Sequence, residues 1–237
     1  IIAAGVIPAA LEMMDRLIVK AVEEAFAVGL PRDAGAVLLI ELDGTEEAIG
    51  AEAEQVSALC LKAGASEVRR ASNAAEREAL WRCRKRAFGA VGRLAPNYCT
   101  QDGVVPRTRL PEILDRIHAI GAKYQLRIGN VFHAGDGNIH PILLFDERNQ
   151  DEVRRVLEAG REILAACVEL GGSLTGEHGI GVEKMDQMPL LFSPDDLRVM
   201  MQLRRVFDPG ERCNPGKIFP SAGGCVEVSA PRRQVPV

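Results

Sequence analysis

The sequence predicts an α+β fold in which an antiparallel or mixed sheet carries helices packed on one face. Three observations support this expectation. Short apolar runs of strand character interleave with helical patterns, and an Asp-Gly turn between two apolar runs signals a hairpin. Neither a strand–GxGxxG–helix unit nor a GxxxxGK[ST] loop is present. A doubly wound parallel sheet is the rival architecture.

The elements follow in order. Residues 8–28 place Leu11, Met14, Leu17, Ile18 and Val22 at helical spacing, with Gly29 as a stop. Residues 35–43 form a β-branched, apolar run ending in Asp43-Gly44, which predicts a buried strand. Thr45 caps an expected helix to Lys62, with Glu46 and Glu47 at the positive end of its dipole. Residues 67–70 suggest a short strand, and residues 73–94 a charged helix carrying Leu80, Trp81 and Phe88. Residues 102–105 suggest a strand stopped by Pro106. Residues 111–124 suggest a helix with Ile113, Leu114, Ile117 and Ile120 on its apolar face. Two strands around a glycine turn are expected over 126–145, and the strongest amphipathic helix over 151–170, closed by Gly171-Gly172. Ser193 followed by Pro194 opens a last helix that ends before Asp208-Pro209-Gly210. The domain is expected over 1–220, with 221–237 a poorly ordered tail rich in Ser, Gly, Pro and Arg.

Composition narrows the function. A chain of 237 residues, 47% hydrophobic and 26% charged, sustains a sizeable core. A net charge of −4 and 4% aromatic residues exclude an electrostatic or stacking platform for nucleic acid. No apolar run reaches the roughly 18–20 residues of a membrane span. The opening Ile1-Ile2 suggests a piece of a longer polypeptide. Six cysteines without metal or CxxC spacing suggest reduced thiols in the cytosol.

Two glycine-flanked segments carry candidate chemistry. In His133-Ala134-Gly135-Asp136-Gly137-Asn138-Ile139-His140, a two-residue turn centred on Asp136-Gly137 would set His133 directly opposite His140, and a longer glycine loop would still bring the two rings near each other. Facing imidazoles, with Cβ atoms about 4.5–5.5 Å apart, can share one divalent cation. The bland alternative is a pair of polar residues flanking a turn. In Gly176-Glu177-His178-Gly179, Glu177 can supply a third ligand and His178 can remain free as a base; the bland alternative is a solvated glycine loop. Asn214-Pro215-Gly216-Lys217 is, by itself, a turn.

These motifs, with the segment Pro8 to Asp15 and the pair Leu80-Trp81, resemble the C-terminal domain of FAD-linked oxidases over about residues 1–220. That family includes the D subunit of glycolate oxidase and the D-lactate and D-2-hydroxyglutarate dehydrogenases. The resemblance implies ferredoxin-like elements in the fold and a divalent metal, commonly zinc, on His133, His140 and Glu177. It implies His178 as the base, Arg84 as the grip on the substrate carboxylate, and Asn138 and Asn214 near the flavin. FAD would be bound mainly by a separate N-terminal domain, so this chain alone would be inactive. Thr100 and Ile142 stand where hydroxyglutarate enzymes carry a lysine and an asparagine, which favours a monocarboxylate such as glycolate or D-lactate. His118 matches nothing in the pattern and is taken as structural.

The implied activity is oxidation of a D-2-hydroxy acid by hydride transfer to flavin, with the metal polarising the hydroxyl and His178 accepting its proton. Other oxidase subunits and an electron acceptor are further implied partners. The expected location is cytoplasmic, with peripheral membrane association as the alternative. A metal-dependent hydrolase using the same His/His/Glu set and a non-catalytic assembly module remain open as alternatives.

Overall fold

In the computed structural model, which describes residues 1–220, an antiparallel sheet organises the chain. Its strands are β1 (Ala10–Asp15), β2 (Ala36–Glu41), β3 (Asn97–Thr100), β4 (Gly103–Val104), β5 (Arg127–His133) and β6 (Asn138–Phe145). They lie in the order β2-β1-β5-β6-β3, with β4 continuing beyond β3 along the same edge of β6. The helices are α1 (Arg16–Phe26), α2 (Glu46–Lys62), α3 (Ala74–Lys85), α4 (Ala87–Val91), α5 (Leu110–Tyr124), α6 (Gln150–Glu169) and α7 (Pro194–Phe207).

The α+β class holds, but helices cover both faces of the sheet. Alternation along the strands explains why. On one face Met14, Val131, Ile142 and Leu144 pack against Ile18 and Val22 of α1 and Ala87, Ala90 and Val91 of α4. On the other, Phe132, Ile139 and Leu143 pack against Ile113 and Ile117 of α5 and Val156 and Ile163 of α6. The central strands are apolar on both sides and therefore need two covers.

The expected helix over 8–28 divides into β1 and α1. Leu11 and Met14 suit either periodicity, but β1 is zipped between β2 and β5, and Asp15 caps α1 through a bond from Ile18 N at 3.1 Å. The expected strand at 67–70 is irregular, because Val68 stands alone among charged residues whose partners lie outside any strand. Arg69 donates to Gly29 O and Arg70 pairs with Glu54. The expected helix over 73–94 breaks at Arg86, and the break lets Ala87, Ala90 and Val91 bury against α1. The run at 35–43, expected as a buried strand, forms β2 at the end of the sheet order with no buried residue, because it pairs with β1 alone, and β3 (Asn97–Thr100) was not anticipated. The remaining boundaries lie close to expectation. Thr45 accepts from Ala48 N, and Ser193 and Asp196 form a capping box on α7.

The β5–β6 hairpin has a four-residue loop, 134–137, where a two-residue turn was expected. His133 pairs with Asn138 and His140 with Val131. Neighbours on both sides hold the longer loop: Gly135 N donates to Leu11 O at 3.2 Å, and Val105 N donates to Gly137 O at 3.0 Å. Gly137 has φ +79°, and a Cβ there would collide with the carbonyl oxygen of Val105.

Residues Ile1–His178 form one compact unit and a second begins at Gly179. Within the second unit, Arg204 of α7 donates to the carbonyls of Cys213, Asn214 and Lys217, which pins the 213–217 turn. Among the described residues no helix is long and apolar enough to cross a membrane, and no disulfide joins Cys60, Cys83, Cys99, Cys167 or Cys213. The expected disordered tail at 221–237 lies outside the described residues.

Asp15 ties α1 to the sheet. Besides capping, its buried carboxylate accepts from Asn130 N at 2.7 Å and Asn130 Nδ2 at 2.9 Å. Asp15→Ala removes a cap worth about 1 kcal/mol and strands buried donors at about 1–3 kcal/mol, so urea unfolding should register a loss of about 2–4 kcal/mol. Burial nevertheless pushes this carboxyl above its ordinary value of 3.8. A raised folded-state pKa means that the folded chain holds the proton more tightly than the unfolded chain. The contribution is then full below 3.8 and declines as pH rises through the folded-state value. The stability of the protein relative to Asp15→Asn should decline over that window and flatten above it. A rise over the same window would refute the assignment.

Candidate functional site

The site forms where β1, β5 and β6 present one shared face beside the 175–178 segment. Glu12 pairs across β1–β5 with His133, and His140 lies diagonally across β5–β6 from it. The expected direct opposition of the histidines is offset by two residues. An offset of two keeps both side chains on the same face. The ring centroids accordingly lie 5.3 Å apart, edge to face.

Glu177 meets both rings. Its Oε1 lies 3.1 Å from His140 Nε2 and 3.6 Å from His133 Nε2, and His178 Nε2 follows at 3.9 Å. His178 stacks on His140 at 5.2 Å between centroids. The side chain of His140 is only 3% exposed, and this burial lowers its pKa, keeping it neutral with a lone pair to offer. Glu177 and His178 are half exposed. His133, Asp136, Asn138, Gly176 and Glu177 line a cleft of about 310 Å³ with Val104.

Two donor sets in this cluster bring their ligand atoms within 4.8 Å of one another: His133, His140 and Glu177, or Asp102, His140 and His178. The chemistry favours the first. Asp102 is fully buried, and its carboxylate accepts from Thr175 Oγ1 at 2.5 Å and from the amides of Gly176, Glu177 and His178 at 3.0–3.3 Å. Those oxygens are already occupied. In the first set, His133 Nε2 and His140 Nε2 converge on a half-exposed carboxylate, and two imidazoles with one carboxylate suit a divalent transition metal. The residues present therefore fit the ion.

Arg84 reaches the same cluster through Glu12. Its Nε donates to Glu12 Oε2 at 2.8 Å, while Glu12 Oε1 lies 2.7 Å from His133 Nδ1. Asn138 lies under the 175–178 segment, where a Cβ on Gly176 would collide with its amide. Asn138 Oδ1 is buried without a hydrogen-bond partner among the described residues. Thr100 and Ile142 are direct cross-strand partners, with Ile142 fully buried in the core. Asn214 belongs to the second unit, in the turn held by Arg204. His118 is exposed on α5.

Sequence reasoning missed Glu12 and Asp102 as site residues. One signal was available for Glu12, a lone carboxylate between Leu11 and Met13 in an apolar run. Asp102 has none beyond its place ahead of Gly103, since its partners lie more than seventy residues away.

A sheet with a helical cover on each face thus carries an imidazole–carboxylate cluster at one end of its central strands. The chain belongs to the family of FAD-linked oxidases, C-terminal domain, whose model matches residues 1–218. The glycolate oxidase subunit GlcD of Escherichia coli K12 is 48% identical over 230 residues, covering 97% of this chain and 46% of that protein. GlcD of Bacillus subtilis is 41% identical, covering 92% and 47% respectively. A D-lactate dehydrogenase of Anaerostipes hadrus is 32% identical, covering 89% and 46%. The chain thus spans about half the length of these relatives. The 4-ethylphenol oxidase of Gulosibacter chungangensis shares the fold at 15% identity, with a TM-score of 0.61 over 90% of this chain and 48% of that one.

The 175–178 segment rests on Asp102. Each charge-assisted bond contributes about 1.5–3 kcal/mol, so Asp102→Ala should speed amide exchange at Gly176, Glu177 and His178 by about 10- to 100-fold. Amides of β5 and β6 should keep their protection. Unchanged exchange at those three positions would show that the segment is held by something else.

Proposed function

We propose that this chain forms the substrate side of the catalytic centre of an FAD-dependent 2-hydroxy-acid dehydrogenase, acting on a small D-2-hydroxy monocarboxylate such as glycolate or D-lactate. The observation that carries the reading is the convergence of His133, His140 and His178 on Glu177 Oε1, with Arg84 tied to the same cluster by Glu12. Family membership and the names of the relatives support the reaction class. A flavin-binding domain, N-terminal to this one, is the proposed partner, with other oxidase subunits and an electron acceptor beyond it. The absence of a disulfide among the five described cysteines supports a cytoplasmic location.

The division of labour follows from the side chains. Arg84 spends only Nε on Glu12, which leaves its terminal nitrogens for the two oxygens of a substrate carboxylate. His133, His140 and Glu177 hold a divalent metal, most simply zinc. When bound, that ion supplies positive charge that favours the alkoxide, and the flavin supplies the acceptor for hydride from the carbinol carbon. His178, half exposed and stacked on His140, takes the hydroxyl proton at its free ring nitrogen. Asn138 Oδ1, lacking a partner, suits a flavin ring N–H, because a buried acceptor is stable only with a donor. Asn214 is proposed to contact the flavin on family resemblance alone. Thr100 and Ile142 offer no charge for a second substrate carboxylate, which favours a monocarboxylate.

The test is anaerobic bleaching of the flavin in the full-length enzyme by a panel of D- and L-2-hydroxy acids. Glycolate or D-lactate should bleach it and D-2-hydroxyglutarate should not; inertness to the whole panel would refute the assignment. Arg84→Ala should lower kcat/KM by about 10- to 100-fold, the value of a charged hydrogen-bond pair. His178→Ala should lower kcat by about 10²- to 10⁴-fold and leave metal content intact. His133→Ala combined with His140→Ala should abolish metal content measured by elemental analysis. If His178→Ala loses the ion instead, the set of Asp102, His140 and His178 is the one that binds it.

A further inference from the structure

We infer that Glu12 is a positioning residue that selects the tautomer of His133 and binds that choice to Arg84. Its carboxylate is 10% exposed and both oxygens are engaged, Oε1 with His133 Nδ1 at 2.7 Å and Oε2 with Arg84 Nε at 2.8 Å. Arg84, at 11% exposure, is nearly as buried. An ionised carboxylate can only accept hydrogen bonds. The proton of neutral His133 therefore sits on Nδ1, and the lone pair of Nε2 points toward Glu177, 3.6 Å away. That is the tautomer a metal ligand needs, fixed by an outer carboxylate as in many metal sites.

The second arm makes the arrangement more than a generic outer contact. A guanidinium is a permanent donor, so Arg84 always demands an acceptor at Glu12. Imidazole is adaptable and can either donate or accept at Nδ1. If Glu12 carried one acceptor and one donor, Arg84 would claim the acceptor and the donor would face His133 Nδ1. The His133 proton would then move to Nε2 and block the ligand position. Arg84, which makes no contact with the ion site itself, thus decides whether a change at Glu12 reaches the metal. The inference builds on the proposed metal-binding role of His133 only for the identity of what Nε2 holds.

Glu12→Gln keeps the shape of the side chain and supplies the required acceptor-plus-donor pair. In full-length, metal-stripped protein with ¹⁵N-labelled histidine, the ring nitrogen shifts of His133 should change from the Nδ1–H to the Nε2–H pattern. Affinity for Zn²⁺ alone, measured by competition with a chromophoric chelator, should fall by about 10- to 100-fold. Combining Glu12→Gln with Arg84→Met removes the competing donor, so the amide oxygen turns to His133. The Nδ1–H pattern and most of the Zn²⁺ affinity should then return; because the double variant also restores the net charge, the return of the Nδ1–H pattern is the readout that charge alone would not move. The double variant also lacks a buried guanidinium without its counter-charge, which keeps the test usable if Glu12→Gln folds poorly. An Nδ1–H pattern with unchanged affinity in Glu12→Gln overturns the inference, as does failure of the double variant to recover. A tautomer switch in a protein that never bound Zn²⁺ would uphold the role of Glu12 and reject the metal reading of the site.

Discussion

The alternation of side chains across three antiparallel strands decides what can meet at this site. Glu12 on β1, His133 on β5 and His140 on β6 share a face, and the register through Thr100–Ile142 and Gly103–Ile139 sets Asp102 opposite His140. The same face carries Met14, Val131 and Ile142 into the core with α1 and α4. One side of one sheet is thus apolar along most of its length and ionic at its end. A slip of a single residue in any of these pairings would send a histidine or carboxylate into the cover formed by α5 and α6.

Parity also explains how much of the site could be read from the residues. The turn was expected at Asp136-Gly137 with two residues in it, and the chain uses four, because Leu11 and Val105 hold the loop from outside. No local signal reports those two neighbours. The error was an even one, so the face assignment survived and His133 still meets His140. The misreading of β1 had a different cause. Leu11, Met14, Leu17 and Ile18 satisfy helical spacing, and only pairing with β2 and β5 makes the first part extended. The caps at Thr45 and Ser193 were legible, since each acts on an amide three residues away. Glu12 and Asp102 were not, because their partners lie more than seventy residues along the chain.

Three carboxylates divide the electrostatic work. Glu12 and Asp102 are buried and fully engaged, while Glu177 is half exposed with Oε1 facing three imidazoles. A buried Glu–Arg pair adds little net stability, because desolvation offsets much of the attraction. Its value is geometric: it places a guanidinium and an imidazole on the two oxygens of one rigid group. Burial does the complementary job at His140, where desolvation disfavours the charged ring and keeps the nitrogen available.

The site therefore combines parts of unequal stiffness. His133 and His140 project from paired strands, where backbone hydrogen bonds on both sides limit their motion. Glu177 and His178 come from an irregular segment whose order rests on one carboxylate accepting four successive donors. Gly176 has to be a glycine there, because the segment lies directly on the Asn138 amide. A pair of strand-borne imidazoles next to a loop-borne carboxylate and imidazole lets the strand residues define a position while the half-exposed loop side chains adjust to what binds. Asp102 limits that adjustment at its root and leaves the two side chains half exposed at its tip. The proposed proton acceptor and the third ligand can then respond to a substrate without disturbing the sheet that sets the geometry.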